Sequence, residues 1–394
     1  MKIIMAAWGS IYEDTLKIAL EKLGHEVILY KKECRHYTRD MEYALGLMTL
    51  IGTGQVAGVI SCNYFPIISM VCKKCGIKYY SWVYDCPHYT LYAAPVLYDV
   101  NRIACFDREM AERLRKLGAK DVIHLPLGAG ALASNGAFEG DKGYDCDVSF
   151  VGNLYTNKYN YFDSLSDAQE LLEASSKAVE EQIFDYREDH LASFFDKGRS
   201  EEERRFLREK AAEQIDKEGL LPGDEYLLER DDIFISSYLE KKVTVEERRR
   251  LLESLAGNGT DLRLYTASDT SSSPLLDKVA MGQVDYKTEM PLVFLRSRIN
   301  LNISLRSIHS GIPLRAIDIM NAGGFLLSNY QKELEEYFDI GRELVTYDSL
   351  EDCREKISYY LAHADEREMI AAAGMKAVRE RLSAEREVEI LLSI

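Results

Sequence analysis

Arg315 and Asp318 stand one helical turn apart in SGIPLRAIDIMNAGGFLLSNY, residues 310–330, so on a helix they share a face. The segment follows an apolar run, INLNISL, which sets Arg306, His309 and Ser310 in a loop at that strand's carboxyl end. Pro313 suits a first helical turn. A helix starting there aims free N–H groups and the positive end of its dipole out of the sheet, which is a ready place for phosphate. Arg306 and Arg315 then supply charge-assisted hydrogen bonds to a pyrophosphate. Asp318, deeper on the same face, accepts hydrogen bonds from vicinal hydroxyls such as those of a ribose. Gly323 and Gly324 let this helix pack closely on the next strand. The plain alternative for Arg315 and Asp318 is a surface ion pair.

A second chemical stretch is SWVYDCPHY, residues 81–89. Pro87 cannot continue a central strand and restricts Cys86, so a strand IKYYSWVYD should end at Asp85. Asp85 and His88 then lie at a carboxyl edge, where either can act as a general base. The competing duty for Asp85 is to cap the following segment. Gly152 and Asn153, in SFVGNLYTNK, fall at the end of a later strand, with Lys158 as a further phosphate contact. WGS, residues 8–10, sits between the first strand and first helix and offers backbone N–H groups. GTGQVAG, residues 52–58, precedes a strand instead of following one, so it is read as a turn and not as a dinucleotide fingerprint. A flavin or nicotinamide cofactor is therefore not expected.

The elements that must position these residues follow from patterning. Residues 1–128 alternate apolar strand runs (KIIMAAW, EVILY, VAGVISCNYF, RIACF, DVIHLPLG) with helices that end in glycine, the pattern of a parallel sheet covered on both faces. GAGALASNGAFEGDKG, residues 128–143, reads as a linker. A second series begins at CDVSFVGN, breaks into helices over about 160–257, and resumes with DLRLYTAS, INLNIS, FLLSN and ELVTYD. The expected organisation is an amino-terminal Rossmann-like domain over 1–140, a second over 141–375 with the helical insertion, and a carboxyl-terminal helix over 376–394. The fold class is α/β, two Rossmann-like domains facing a central cleft. Open α/β sheets bind ligands at the carboxyl ends of their strands, so two facing sheets share one site.

Composition narrows the function. The chain has 394 residues and a formal charge of -16, which argues against nucleic acid as the main partner. The charge is uneven, with a net +2 over residues 1–140 and −18 over the rest. No signal peptide and no apolar run of membrane-spanning length is visible. Eight scattered cysteines suit reduced thiols in a cytoplasmic protein, and the lone Cys72/Cys75 pair reads as a helix end, not a zinc site. The acidic DCD at 145–147 opens a strand at the end opposite the cleft, so no metal site is expected.

The segment around Asp318 resembles the donor-binding core of GT-B glycosyltransferases, whose pattern sets two acids eight positions apart and a glycine five residues beyond the second. Asp318 and Gly323 match; the first acid falls at Ser310, which departs from the pattern. The match extends to CgeB-like spore-maturation glycosyltransferases, which resemble MPLVFLRSRINLNISLRSIHSGIPLRAIDIMNAGGFLLSNY and LVTYDSLEDCREKISYYLAHADERE in the second half and GIKYYSWVYDCPHYTLY in the first. Its W-x-x-D-x-P pattern favours Asp85 over His88 as base. The resemblance implies a metal-independent transferase with a nucleotide-diphosphate sugar as donor, UDP-sugar above all, and a protein or glycan acceptor. Its implied donor-binding set is Gly152, Asn153, Arg306, His309, Ser310, Arg315, Asp318, Gly323 and Gly324. The alternatives are a nucleotide-sugar epimerase of the same fold and a non-catalytic binding or scaffold protein.

Overall fold

The computed structural model describes residues 1–130, 143–156, 161–166, 168–196, 199–217, 227 and 230–393. Most of the expected linker and Lys158 lie outside the described residues. In the first sheet, β1 (Lys2–Ala6), β2 (Glu26–Tyr30), β3 (Gly58–Cys62), β4 (Lys78–Val83), β5 (Asn101–Cys105) and β6 (Val122–His124) alternate with α1 (Glu13–Lys22), α2 (Met41–Gly54), α3 (Pro66–Cys75) and α4 (Arg108–Lys116). The order is β2-β1-β3-β4-β5-β6 with every pair parallel. Strands buried on both faces read as unbroken apolar runs, and β3 is buried at every position. Three of its four helices give way to a left-handed glycine, at Gly24, Gly76 and Gly118, where a side chain would be strained. The turn expected at GTGQVAG begins later: residues 52–54 complete α2, and Gln55 caps it in the left-handed region.

The second sheet runs β12-β11-β10-β7-β8-β9. Its strands are β7 (Cys146–Val151), β8 (Leu262–Tyr265), β9 (Ala280–Gly282), β10 (Ser297–Asn302), β11 (Leu326–Asn329) and β12 (Val345–Tyr347). Its chain-order helices are α5 (Gln169–Gln182), α6 (Glu201–Lys217), α7 (Arg230–Phe234), α8 (Lys241–Gly257), α9 (Pro274–Val279), α10 (Met290–Arg296), α11 (Leu314–Asn321), α12 (Lys332–Tyr337), α13 (Leu350–Ala362), α14 (Ala364–Arg381) and α15 (Ala384–Leu392). A single π-helical stretch, Ile235–Glu240, joins α7 to α8.

The helical region expected as an insertion also packs into the cores around it. α8 is the crossover helix between β7 and β8, and its Leu251, Leu252 and Leu255 belong to the core under the second sheet. Phe194 and Phe195 between α5 and α6, Leu207 on α6, Phe234 on α7 and Tyr238 in the π-helical stretch join an apolar cluster continuous with the first domain. Arg113–Asp232 at 3.8 Å and a Tyr89 hydroxyl bond to Ser236 at 3.0 Å tie the insertion to that domain. α15 crosses back to pack on α1 and β4, with Lys22 on Glu385 at 2.6 Å.

Candidate active site

In each sheet the chain reverses direction of progress at a switch point, between β1 and β3 in the first and between β7 and β10 in the second. The carboxyl ends beside those points face each other across a cleft of about 880 Å³. Its first wall carries Trp8, Gly9 and Glu13 after β1, Asn63 after β3, and Asp85 and His88 after β4; its second carries Tyr155, Lys241 and Leu305.

Asp85 is exposed to the cleft, two residues past the end of β4, and its orientation is set by Asn63. The Asn63 amide donates to Asp85 Oδ2 at 2.6 Å, while its Oδ1 accepts from the N–H of Tyr84 at 3.1 Å. Asn63 sits at φ 61, a left-handed conformation that asparagine tolerates better than most residues. Asn63→Ala therefore removes both the amide that holds Asp85 and a favourable backbone fit. It should destabilise the fold by about 1–3 kcal/mol and depress turnover more than nucleotide binding, read by thermal unfolding beside kinetics.

His88 lies beside Asp85 with Nε2 spent inside the fold. Thr90 Oγ1 lies 2.7 Å from it, the Tyr64 carbonyl 3.0 Å and the Tyr64 N–H 3.2 Å. The Thr90 hydroxyl donates its proton to the Tyr64 carbonyl at 2.7 Å, so the two nearer partners of Nε2 act as acceptors and Nδ1 is left to serve as the basic nitrogen. Burial lowers the imidazole pKa, with the Asp85 charge opposing, which keeps the ring neutral.

On the second wall, Arg248 plugs the switch point. Its guanidinium donates to the Asn153 carbonyl beyond β7 and, at 2.6 Å, to the Ile303 carbonyl beyond β10. The side chain is buried and its Nε has no hydrogen-bond partner. The Arg248 guanidinium lies 5.3 Å from the centre of the Tyr155 ring, and Lys241 Nζ lies 4.0 Å over that ring. Toward the other end, the charge of Arg315 acts on Arg248, and Arg315 pairs with Asp318 at 3.6 Å. Of these cations Lys241 lines the cleft, while Arg248 and the Arg315–Asp318 pair fall outside its lining.

Asp318 is 5% exposed, far from the surface ion pair that its spacing also allowed. Tyr286 donates to Oδ1 at 3.1 Å, and Oδ2 has no hydrogen-bond partner. Burial raises its carboxyl to about 6, against the pull of Arg315 and Tyr286. Oδ2 is left with the Arg315 charge at 3.6 Å and no hydrogen bond, a costly state for a buried carboxylate oxygen.

Several expected donor contacts lie elsewhere. Arg306 turns away from the cleft, donating to the carbonyls of Gln182 and Asp185 with its guanidinium 5.1 Å from the Tyr186 ring centre. The N–H groups of His309, Ser310 and Gly311 do converge on an anion, but it is Asp107 Oδ2, at 2.9, 2.9 and 3.0 Å. Asp107 caps α4 of the first domain, so the nest expected to hold phosphate joins the two domains instead. The Ser310 hydroxyl donates to buried Glu333 at 2.8 Å. His309 is clasped by Glu240 at 2.7 Å and Glu109 at 3.2 Å; burial alone lowers its pKa, and these carboxylates more than reverse that. Gly323 and Gly324 precede β11, at the sheet end opposite the cleft. A Cβ on Gly324 would stand 2.8 Å from the Phe294 carbonyl, so these glycines serve packing. Gly152 and Asn153 lie at the cleft edge as scaffolding: the Asn153 side chain accepts from Tyr155 N at 2.6 Å and Ser268 Oγ at 2.7 Å.

Sequence reading missed Lys241, Arg248, Tyr286 and Asn63. A signal for Arg248 existed, since it falls in the apolar stripe of Thr244, Leu251 and Leu255.

The comparisons agree with this architecture. Residues 246–393 match the family model described as glycosyl transferase-like. The solved sucrose-phosphate synthase from Thermosynechococcus elongatus is similar over 99% of this chain and 97% of its own, at TM-score 0.53 and 9% identity. T4 phage BGT in complex with its UDP-glucose substrate matches over 100% of both chains, at TM-score 0.53 and 10% identity. Anabaena HepE in complex with UDP-glucose matches over 99% and 98%, at TM-score 0.51 and 8% identity. No curated protein matches the sequence. The chain thus has the two-sheet fold of the GT-B class, and its residues 246–393 are similar to glycosyl transferases. Among the described residues, no helix is long and apolar enough to cross a membrane.

Proposed function

We propose that the protein transfers a sugar from a nucleotide-diphosphate sugar, UDP-sugar in particular, to a hydroxyl of a protein or glycan acceptor, as an enzyme of the CgeB-like type. The observation that carries this reading is a held acid, Asp85, on one wall of the cleft facing Lys241 on the other, with the Arg315–Asp318 pair on α11 of the same domain as Lys241. T4 phage BGT and Anabaena HepE, with UDP-glucose bound, support the choice of donor.

In this reading the ribose hydroxyls donate to the buried Oδ2 of Asp318, which otherwise meets only Arg315, at 3.6 Å, among the described residues. Lys241 and Arg315 meet the diphosphate, which gains negative charge as it departs. The acceptor oxygen forms its bond to the anomeric carbon as the bond from that carbon to the phosphate oxygen breaks. The diphosphate leaves with the electron pair, and Asp85, or His88 beside it, takes the acceptor's proton. Holding both substrates in one cleft supplies the rest of the rate by orientation.

The side chains available fit a route without a divalent ion, because Lys241 and Arg315 can meet the charge that develops. Asp145 and Asp147 flank the start of β7 at the far end of the sheet, the second paired with Arg298 at 2.6 Å. Asp185, Glu188 and His190 do cluster within 4.8 Å, but beside Arg306, outside the cleft lining.

A thermal-shift screen tests the donor half, since a ligand at about a hundred times its Kd adds about 2.7 kcal/mol to the folded state. UDP is expected to raise the melting temperature; a flat response to UDP, GDP, ADP and dTDP alike would remove the nucleotide reading. Acceptor-dependent UDP release tests the reaction, and it should survive EDTA within about twofold. Complete loss in EDTA, restored by magnesium or manganese, would assign the charge stabilisation to a metal.

A further inference from the structure

The acceptor side of the cleft has a chemical character of its own. Trp8, Phe65 and Tyr37 form an aromatic row, with ring centroids 6.1 Å apart for the first pair and 5.7 Å for the second. Trp8 is 43% exposed, yet its indole N–H is already given to the Cys62 carbonyl at 2.8 Å. The ring is thus locked in place with only its apolar face on offer, which is how an aromatic serves as a stacking platform.

The turn beside that platform is closed by an acceptor. Glu13 Oε1 collects the N–H groups of Trp8, Gly9 and Ser10 at 2.6, 3.0 and 3.1 Å. The turn after β1 therefore carries its own carboxylate, and an anion can enter it only by displacing Glu13. Asp85 faces the same space, with one oxygen held by Asn63. The lining holds three acids, Glu13, Glu33 and Asp85, against Lys31 and Lys241, a balance that disfavours a polyanionic acceptor. The main-chain N–H groups of this turn, the partners a peptide backbone would need, are occupied by Glu13, so an extended peptide finds little to hold there.

A ligand that suits this wall has an apolar face to lay on an indole and hydroxyls at its rim to give to carboxylates. Resting on the glycosyl-transfer reading above, we propose that the acceptor is an uncharged pyranoside, stacked on Trp8 with a ring hydroxyl delivered to Asp85. The volume of about 880 Å³ lies at the upper end of ordinary ligand sites, ample for a sugar ring beside a donor.

The test is saturation-transfer NMR and calorimetry with methyl β-D-glucopyranoside, methyl β-D-galactopyranoside, methyl N-acetyl-β-D-glucosaminide and methyl α-L-rhamnopyranoside, beside a Ser/Tyr-containing peptide. At least one glycoside should bind. Trp8→Ala should weaken it by about tenfold, and Trp8→Phe, which keeps a ring, should stay within about threefold. The melting shift with UDP reports separately on fold and donor site. Binding of no glycoside at millimolar concentration, equal binding to Trp8→Ala, or competition by the peptide overturns the proposal. A Trp8-dependent glycoside with no response to UDP would sink the transfer reading and leave the pyranoside site standing. The reverse pattern would sink the site alone.

Discussion

Asp85→Asn is expected to lower turnover about a hundredfold or more while nucleotide affinity stays close to the parent. The change keeps shape and removes only the capacity to take a proton. Asn63 can still bond to the new amide through its flipped counterpart, so the loop after β4 keeps its hydrogen bond, which the parent makes at 2.6 Å. Loss of turnover with retained UDP binding would therefore isolate the chemical step from positioning. Near-parental turnover would move the base to His88, whose Nε2 is spent on Thr90 and Tyr64 and whose Nδ1 remains. Asp85→Asn combined with His88→Gln then separates the two: a second large drop assigns the proton to the imidazole, and no drop points to a retaining route.

The other large effect is expected at Asp318, where alanine should abolish measurable nucleotide binding. The Oδ2 atom meets Arg315 at 3.6 Å but makes no hydrogen bond to the described residues, so a donor hydroxyl supplies a hydrogen bond that the fold does not. A ligand control sharpens the test. The parent should prefer UDP to 2′-deoxy-UDP, and any residual binding in Asp318→Ala should not discriminate between them. Equal UDP affinity in parent and variant would end the ribose assignment.

The same group predicts a pH dependence. The Asp318 carboxyl rises from 3.8 to about 6, chiefly through burial. Below about pH 6 it carries a proton in the free protein and loses acceptor capacity, so nucleotide affinity should fall as pH drops through that value. For stability the sign is the opposite. Between the two pKa values the folded state binds more protons than the unfolded, so this group's contribution weakens as pH rises from about 4 to 6, by about 3 kcal/mol in all. Asp318→Asn should remove that slope from the unfolding free energy.

How much of this was legible follows from the range of the forces involved. Strand and helix order came from local periodicity: an all-buried run such as GVISC has few alternatives to a central parallel strand. Asp318 was visible because an acid one turn from an arginine, inside an otherwise apolar helix, breaks the local pattern. Asp85 was placed at a strand end by Pro87 alone. The loop 303–313 was misread because its partners are distant in the chain: Asp107, which fills its N–H groups, lies about two hundred residues away. Arg306 was misassigned for the same reason, since nothing near it announces the carbonyls of Gln182 and Asp185.

Arg248 marks the boundary most clearly. In the run Arg248, Arg249, Arg250 the three residues look alike, and two of them do meet glutamates on the helix surface. Only the docking of α8 beneath β7 and β10 decides that Arg248 faces inward to two strand-end carbonyls. The sequence by itself determined two parallel sheets and the strand ends beside which the cleft opens. Which cations face the cleft, and which close the domains upon each other, was left to tertiary structure, because hydrogen-bond partners of loop residues are chosen by packing across the chain and not by neighbours along it.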